Sequence, residues 1–212
     1  MKWNDKITVT NEDNMEMMSR YCDNYFDLAV VDPEYGINAG KMEMGNGKNK
    51  KYIKKDWDNK TPKQKYFTEL FRISKNQIIC GGNYFTDKIP ISKCWIFWDK
   101  GIYGDLSFAD GEMIWTSFNT VTRVAKIRYK GFLGADKNRI HITQKPVKLY
   151  KWLLQNYAKP NDKILDTHLG SGSIAIACNE LGFELTACEL DKEYYDAALN
   201  RFKLETAKIK MF

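Results

Sequence analysis

The 212-residue sequence contains no Cys-x-x-Cys pair, only five prolines and no run approaching eighteen uncharged apolar residues. Its five cysteines (Cys22, Cys80, Cys94, Cys178 and Cys188) are odd in number and widely spaced. That argues against a disulfide framework and a structural zinc site, leaves no metal expected, and suits a reducing, cytoplasmic compartment. Asp5, Glu12 and Asp13 fall where a secretory leader would carry its apolar stretch, so neither secretion nor membrane spanning is expected. No internal repeat or low-complexity tract interrupts the chain. What is present is 43% hydrophobic residues, enough for a single globular domain over 1–212 with its own core. Lysine and arginine number 33 against 27 acids, a net charge of +6 that is compatible with a polyanionic partner without demanding one.

Short apolar runs alternate with helical or turn-rich segments, the pattern of an α/β layered fold. Seven runs read as strands: Ile7 to Thr10, Leu28 to Val31, Gln77 to Cys80, Cys94 to Trp98, Met113 to Ser117, Ile164 to Leu165 and Glu184 to Cys188. They predict one doubly wound, mostly parallel seven-stranded sheet with helices on both faces. The glycines around the fourth and fifth runs predict an antiparallel hairpin at a sheet edge. Helices are expected over Val147 to Ala158, after Pro146, over Ser173 to Leu181, closed by Gly182, and from about Asp191. Most of the six tryptophans sit at strand-like positions and read as core. Two segments break the rhythm. Asn38 to Lys60, rich in glycine and charge and holding Trp57, reads as a mobile loop. Residues 122–139 carry Arg123, Lys126, Arg128, Lys130, Lys137 and Arg139 with interleaved Tyr129 and Phe132, a composition suited to phosphate and base contacts, or simply to a solvated surface hairpin.

Two turns carry chemistry. Lys163 to Ser173, KILDTHLGSGS, reads as a strand entering a glycine turn and then a helix, where an α/β sheet binds a nucleotide-like ligand. Glu189, at the end of the next strand, is placed to take ribose hydroxyls. Gly170 to Ala175 also satisfies the dinucleotide form GxGxxA, which keeps a nicotinamide oxidoreductase in view. Asp166 separates the two, because an acid at the strand tip repels a pyrophosphate and suits the sulfonium and ammonium groups of S-adenosylmethionine. The second turn, Asp32-Pro33-Glu34-Tyr35, ends an apolar strand. A nucleobase amino group is a poor nucleophile, and two acceptors, the Asp32 carboxylate and a carbonyl such as that of Pro33, can hold it ready for attack. Tyr35 offers a face on which an extruded base can stack, while the bland reading is a strand-end turn with Asp32 capping the backbone.

The succession DPEY, TQKP, LDTHLGSGS and ACELD resembles the DNA methyltransferases that methylate adenine N6 or cytosine N4. The catalytic turn precedes the cofactor turn, as in their permuted, beta-type group. The resemblance implies the circularly permuted S-adenosylmethionine-dependent methyltransferase fold, with Asp32, Pro33 and Tyr35 catalytic. It further implies cofactor contacts at Asp13, Asp32, Thr143, Lys145, Asp166, Leu169, Gly170, Ser171, Gly172 and Glu189. Double-stranded DNA is the implied substrate, with 122–139 as a short target-recognition insert and a homodimer as one way of supplementing it. Adenine N6 is favoured because Asp32, rather than Ser, heads the turn. Three departures distinguish this chain: Glu34 replaces the usual second proline, Ile142 replaces the proline after His141, and the recognition segment is short. A silent cofactor- or DNA-binding module and an RNA or protein-glutamine methyltransferase are the rival readings.

Overall fold

Strand residues alternate between two apolar faces, and each face is covered by helices. The structure, a computed structural model, describes residues 1–41, 57–102, 109–129 and 139–209. In chain order the elements are β1 (Ile7–Thr10), α1 (Asn14–Ser19), β2 (Phe26–Val31), α2 (Gln64–Ile73), β3 (Ser74–Cys80), β4 (Trp95–Asp99), β5 (Gly111–Thr116) and β6 (Arg123–Lys126). They continue with α3 (Val147–Tyr157), β7 (Lys163–Asp166), α4 (Ser173–Leu181), β8 (Glu184–Cys188) and α5 (Lys192–Ile209). Leu28, Val30, Ile78, Ile164 and Leu185 pack under α3, α4 and α5. Ala29, Val31, Ile79 and Leu165 face the opposite way, under Met17 and Met18 of α1 and Phe67 and Leu70 of α2. Small residues let α4 lie close to the sheet, with Ala175 and Ala177 fully buried.

Among the described residues the sheet has eight strands in the order β1-β8-β7-β2-β3-β5-β4-β6. This corrects the expected seven. Strand β5 runs antiparallel to both neighbours, and the other pairings are parallel. The antiparallel β4–β5 hairpin is present but does not form the edge, because β6 pairs in parallel outside β4. The eighth strand escapes a reading by apolar runs because only Ala125 of its four residues is buried. Arg123 and Lys126, expected in a DNA-contacting insert, are therefore edge-strand residues; Lys130 and Lys137 lie outside the described residues.

Between α1 and α2 the chain forms a tight anchor. Arg72 on α2 pairs with Glu69 at 2.8 Å and Asp23 at 2.9 Å, and donates to the carbonyls of Tyr21 and Met18. The segment read as a mobile loop is pinned at both of its described ends. Asp58, only 2% exposed, accepts from the N–H groups of Gly36 at 2.8 Å and Ala39 at 2.7 Å. Its carbonyl accepts from Asn38 N–H at 2.7 Å, so the chain after β2 closes back on the turn at the strand tip. Residues 42–56 of that loop lie outside the described residues. Among the described residues no helix is long and apolar enough to cross a membrane.

Replacing Asp58 by Ala strands two N–H groups, that of Ala39 buried and that of Gly36 half-buried. Urea unfolding is expected to show a loss of about 1–3 kcal/mol. A stability equal to that of the parent chain would mean that water takes over both bonds.

Candidate active site

Parallel pairing of β2 with β7, and of β7 with β8, brings three strand ends to one edge of the sheet. Asp32 follows β2, Asp166 ends β7 and Glu189 follows β8. Between them opens a cavity of about 440 Å³, within the size range of small-molecule sites. Asp13, Asp32, Pro33, Tyr35, Thr143, Lys145, Leu169, Gly170, Ser171 and Glu189 all lie on its wall. Two expected contacts do not. Asp166 is 1% exposed beneath the wall, and Gly172 turns away from it: at φ +73 it caps α4, and a Cβ there would lie 3.3 Å from Ala198 of α5.

The glycine turn is held by its own acids. Glu189 accepts from Gly170 N–H at 2.8 Å and from Asp191 N–H at 2.9 Å. Burial pushes its carboxyl up despite those two donors. Asp166 accepts from His168 N–H at 3.0 Å. Burial, reinforced by the charges of Asp32 and Glu189, raises it to about 8. Neither has an ammonium group in contact among the described residues. A buried carboxyl and a recessed acid on one wall fit a ligand carrying positive charge. Gly170 sits at φ +54, a conformation that L side chains rarely adopt, and a Cβ there would meet the His141 ring and the His168 carbonyl at 3.9 Å. Asp13 lines the cavity while capping α1, accepting from Met15 N–H at 2.8 Å. Thr143 bonds the His141 ring at 3.1 Å, and that ring lies between Trp57 and Tyr194, 5.1 and 4.2 Å away.

The Asp32 turn is organised differently. Lys145, expected beside the cofactor, points its ammonium at Asp32 Oδ2 at 2.5 Å and at Glu112 at 3.3 Å. Tyr35 donates to Asp32 Oδ1 at 2.7 Å. Lys100 completes the network, 2.8 Å from the other oxygen of Glu112. Burial raises Glu112, but the ammonium groups of Lys145 and Lys100 more than reverse this and hold it at about 2. Burial likewise opposes the charge of Lys145, and Asp32 and Glu112 overcome it, keeping the ammonium protonated. The Tyr35 ring stacks on Tyr84, 4.8 Å apart and 13° from parallel. It also covers Gly81, which sits at φ +66 and where a Cβ would fall 2.2 Å from the ring. One aromatic face expected to be open to a base is thus occupied by the protein.

Glu112, Lys100 and Tyr84 are the site residues that reading the sequence did not single out. A charge beside a strand carries no sign in the sequence of the partner it meets across the sheet edge. Of the basic residues, Arg139 lines the cavity and donates to the Ile142 carbonyl. Arg128 is exposed and packs beside Gly101, whereas Arg123 and Lys126 lie on the outer strand. The structure does not gather them around the cavity.

Comparison with known proteins places this geometry. The N6/N4 methyltransferase family model, described as DNA methylase, matches residues 2–200. The type II methyltransferase M1.MboII of Moraxella bovis is 38% identical over 58 residues, 27% of this chain and 22% of that protein. The chain therefore matches only about a fifth of the length of that curated relative. The crystal structure of the M1.HpyAVI–SAM complex superposes with a TM-score of 0.61 at 16% identity, covering 92% of this chain and 99% of the other. The cytosine-N4-specific PvuII DNA methyltransferase gives 0.59 at 12% identity, covering 96% and 94%. At those identities the likeness is one of fold. With nearly the whole sequence inside the family match, the chain belongs to the N6/N4 DNA methylase family.

Proposed function

We propose that the chain is an S-adenosylmethionine-dependent DNA methyltransferase acting on a base amino group, adenine N6 in preference to cytosine N4. In this reading residues 1–212 form one methyltransferase domain. The observation that carries it is the meeting, in one cavity, of the Asp32 turn with Glu189 and the glycine turn, the Asp166 carboxyl lying buried beneath the same wall. S-adenosylmethionine supplies an electrophilic methyl group on a cationic sulfur when bound. The chain's own residues do the rest. Asp166 and Glu189 offer negative charge to the cofactor's amino and ribose groups, with Leu169, Gly170 and Ser171 forming the backbone cradle and Asp13 and Thr143 flanking it.

On the other side, Asp32 and the Pro33 carbonyl hold the amino protons of an extruded base, so that the nitrogen lone pair faces the methyl group. Among the described residues each Asp32 oxygen is engaged once, by Tyr35 or by Lys145, which leaves it a second lone pair for the base. Lys145 balances the Asp32 charge and fixes its orientation. No covalent intermediate is required, since the amino nitrogen is itself the nucleophile. Its surplus proton leaves to Asp32 or water. Double-stranded DNA is the proposed partner, with Arg123, Lys126, Arg128 and Arg139 as phosphate contacts. Asp32, rather than Ser, at the head of the turn favours adenine.

The test is incubation with S-adenosylmethionine and unmethylated mixed-sequence DNA, followed by nucleoside digestion and mass spectrometry. N6-methyladenine is the expected product. N4-methylcytosine would move the assignment to the other base, and cofactor binding without either product would leave a binding module. Asp32→Asn keeps the shape of the turn and removes the charge. It is expected to lower kcat by about 100- to 1000-fold, the scale set by loss of one preorganised polar group.

Asp166 gives a second expectation. With its carboxyl raised to about 8, the free protein holds that proton at pH 7, whereas the unfolded chain has released it near pH 4. This group therefore costs stability as the pH rises from about 4 to about 8, and binding of a cation at pH 7 drives the proton off. Calorimetry in two buffers of different ionisation heat should show about one proton released per cofactor bound. Asp166→Asn should abolish that release and weaken cofactor binding by roughly 10- to 100-fold. Equal proton release from the variant would exclude Asp166 as the source.

A further inference from the structure

Eight acids line the first cavity against three bases, Lys100, Arg139 and Lys145, and both lysines are already tied to carboxylates. An extruded base stays attached through its sugar to the phosphates on either side of it, so a polyanionic strand has to reach the rim of this cavity. The wall itself offers that strand little positive charge. We infer that a second cavity beside it, bordered by Lys60, Lys63 and Lys65, is a phosphate subsite for the DNA strand that carries the extruded base, a role that rests on the methyltransferase reading.

The second cavity has a volume of about 300 Å³ and shares four wall residues with the first, Asn14, Glu34, Trp57 and His168. It therefore lies directly beside the Asp32 turn, to which Glu34 belongs. Much of its remaining wall is the segment leading into α2, where Lys60, Lys63 and Lys65 stand. Three ammonium groups thus face one carboxylate, that of Glu34, the reverse of the balance in the first cavity. All three lysines are exposed, and among the described residues none is held in an ion pair. The first turn of α2 carries no acid that could quench them. Solvated, uncompensated ammonium groups suit a phosphate chain, because each phosphate they neutralise releases its condensed counterions.

The backbone bearing these lysines is fastened to the turn that would present the base. Asp58 accepts from the N–H groups of Gly36 and Ala39, just beyond Tyr35. The chain at Lys60 and Thr61 packs on Gly36 so closely that a Cβ there would lie 3.1 Å from Thr61 N and 3.3 Å from the Lys60 carbonyl carbon. At the far end of the segment the Tyr66 hydroxyl lies 2.7 Å from the Thr167 hydroxyl, beside the glycine turn. The lysines are thus carried at a set distance from both turns. Arg123 and Lys126, by contrast, line neither cavity.

The test measures the affinity for an unmethylated duplex by fluorescence anisotropy between about 50 and 200 mM salt. The parent is compared with a triple variant, Lys60→Gln, Lys63→Gln and Lys65→Gln. A control carries Lys93→Gln, Lys159→Gln and Lys203→Gln, which removes the same charge from exposed positions that line neither cavity. The slope of log affinity against log salt should become shallower by roughly 2 to 3 in the first variant, at about 0.9 per phosphate contact, and by less than about 1 in the control. KM for DNA in methyl transfer should rise about tenfold or more, with affinity for the cofactor within about twofold of the parent. Acetylation of the parent chain gives a reading that needs no variant: bound duplex should protect Lys60, Lys63 and Lys65 and leave Lys93, Lys159 and Lys203 as reactive as before. Equal slopes in parent and triple variant, equal losses in triple variant and control, or lysines left unprotected by DNA would each overturn the subsite. Should the triple variant fail to fold, protection decides alone. A parent chain that makes no methylated base removes the methyltransferase reading and the subsite with it, whereas an active parent with Lys60, Lys63 and Lys65 unprotected removes the subsite only.

Discussion

A buried ammonium cannot stand without counter-charges, and Lys145, with its side chain 4% exposed, is the group around which this molecule is arranged. Asp32 from the end of β2 and Glu112 from β5 converge on it, and Lys100 after β4 balances the second oxygen of Glu112. Three regions of the chain, the Asp32 turn, the β4–β5 hairpin and the segment before α3, must reach one point for all of these charges to be compensated. Removing a single partner from such a pair leaves an unmatched buried charge, an error costing about 3–5 kcal/mol. The network therefore selects the arrangement in which the Asp32 turn is held still, as a site that reacts through positioning requires.

The sheet makes this convergence possible. Chain connections leave β2 toward β3 on one side and β7 toward β8 on the other, so the two central strands flank the point where the winding reverses. A crevice opens outside the carboxyl ends of strands at such a point. Asp32 and Asp166, far apart in sequence, become neighbours there because β2 and β7 pair in register, Leu28 with Ile164 and Ala29 with Leu165. The order of the two turns along the chain is immaterial to their meeting; only the strand order matters.

What the sequence makes legible follows from how local each feature is. The glycine turn, α4 from Ser173 to Leu181 and strands β1 and β8 emerge with their observed bounds, because capping, small residues and β-branched runs act within a few residues. Strand β6 is invisible to the same reasoning: Ala125 alone is buried, and its pairing with β4 is a tertiary fact. Helix α2 could have been found, for Tyr66, Phe67, Leu70 and Ile73 follow helical spacing, yet the reading by short apolar runs passed over it. Lys145 shows what spacing alone leaves open. The resemblance assigns it to cofactor contact, but a long flexible side chain that lines the cavity can serve either end of it, and the charges of Asp32 and Glu112 draw its ammonium to theirs.

The distribution of charge around the cavity then has a physical logic. Acids on the Asp32 side, Asp32 and Glu112, are matched by ammonium groups, so in the proposed reaction the Asp32 carboxylate would act on a neutral base through hydrogen-bond geometry rather than through net field. Acids on the glycine-turn side, Asp166 and Glu189, are held by backbone N–H groups of their own turns, and burial pushes both carboxyls up. A buried carboxyl whose proton is held loosely near pH 7 can give it up to an approaching cation and gains nothing from a pyrophosphate. The same glycine spacing that would serve a dinucleotide is thereby turned toward a positively charged ligand, and the choice is made by two carboxyls rather than by the glycines. Asp32 stands at the boundary between the two regimes, and its charge contributes to raising Asp166 even while Lys145 balances it. In the proposed reaction, neutralising a cation in the cavity and orienting an amino group beside it would therefore be linked through a single residue, Asp32.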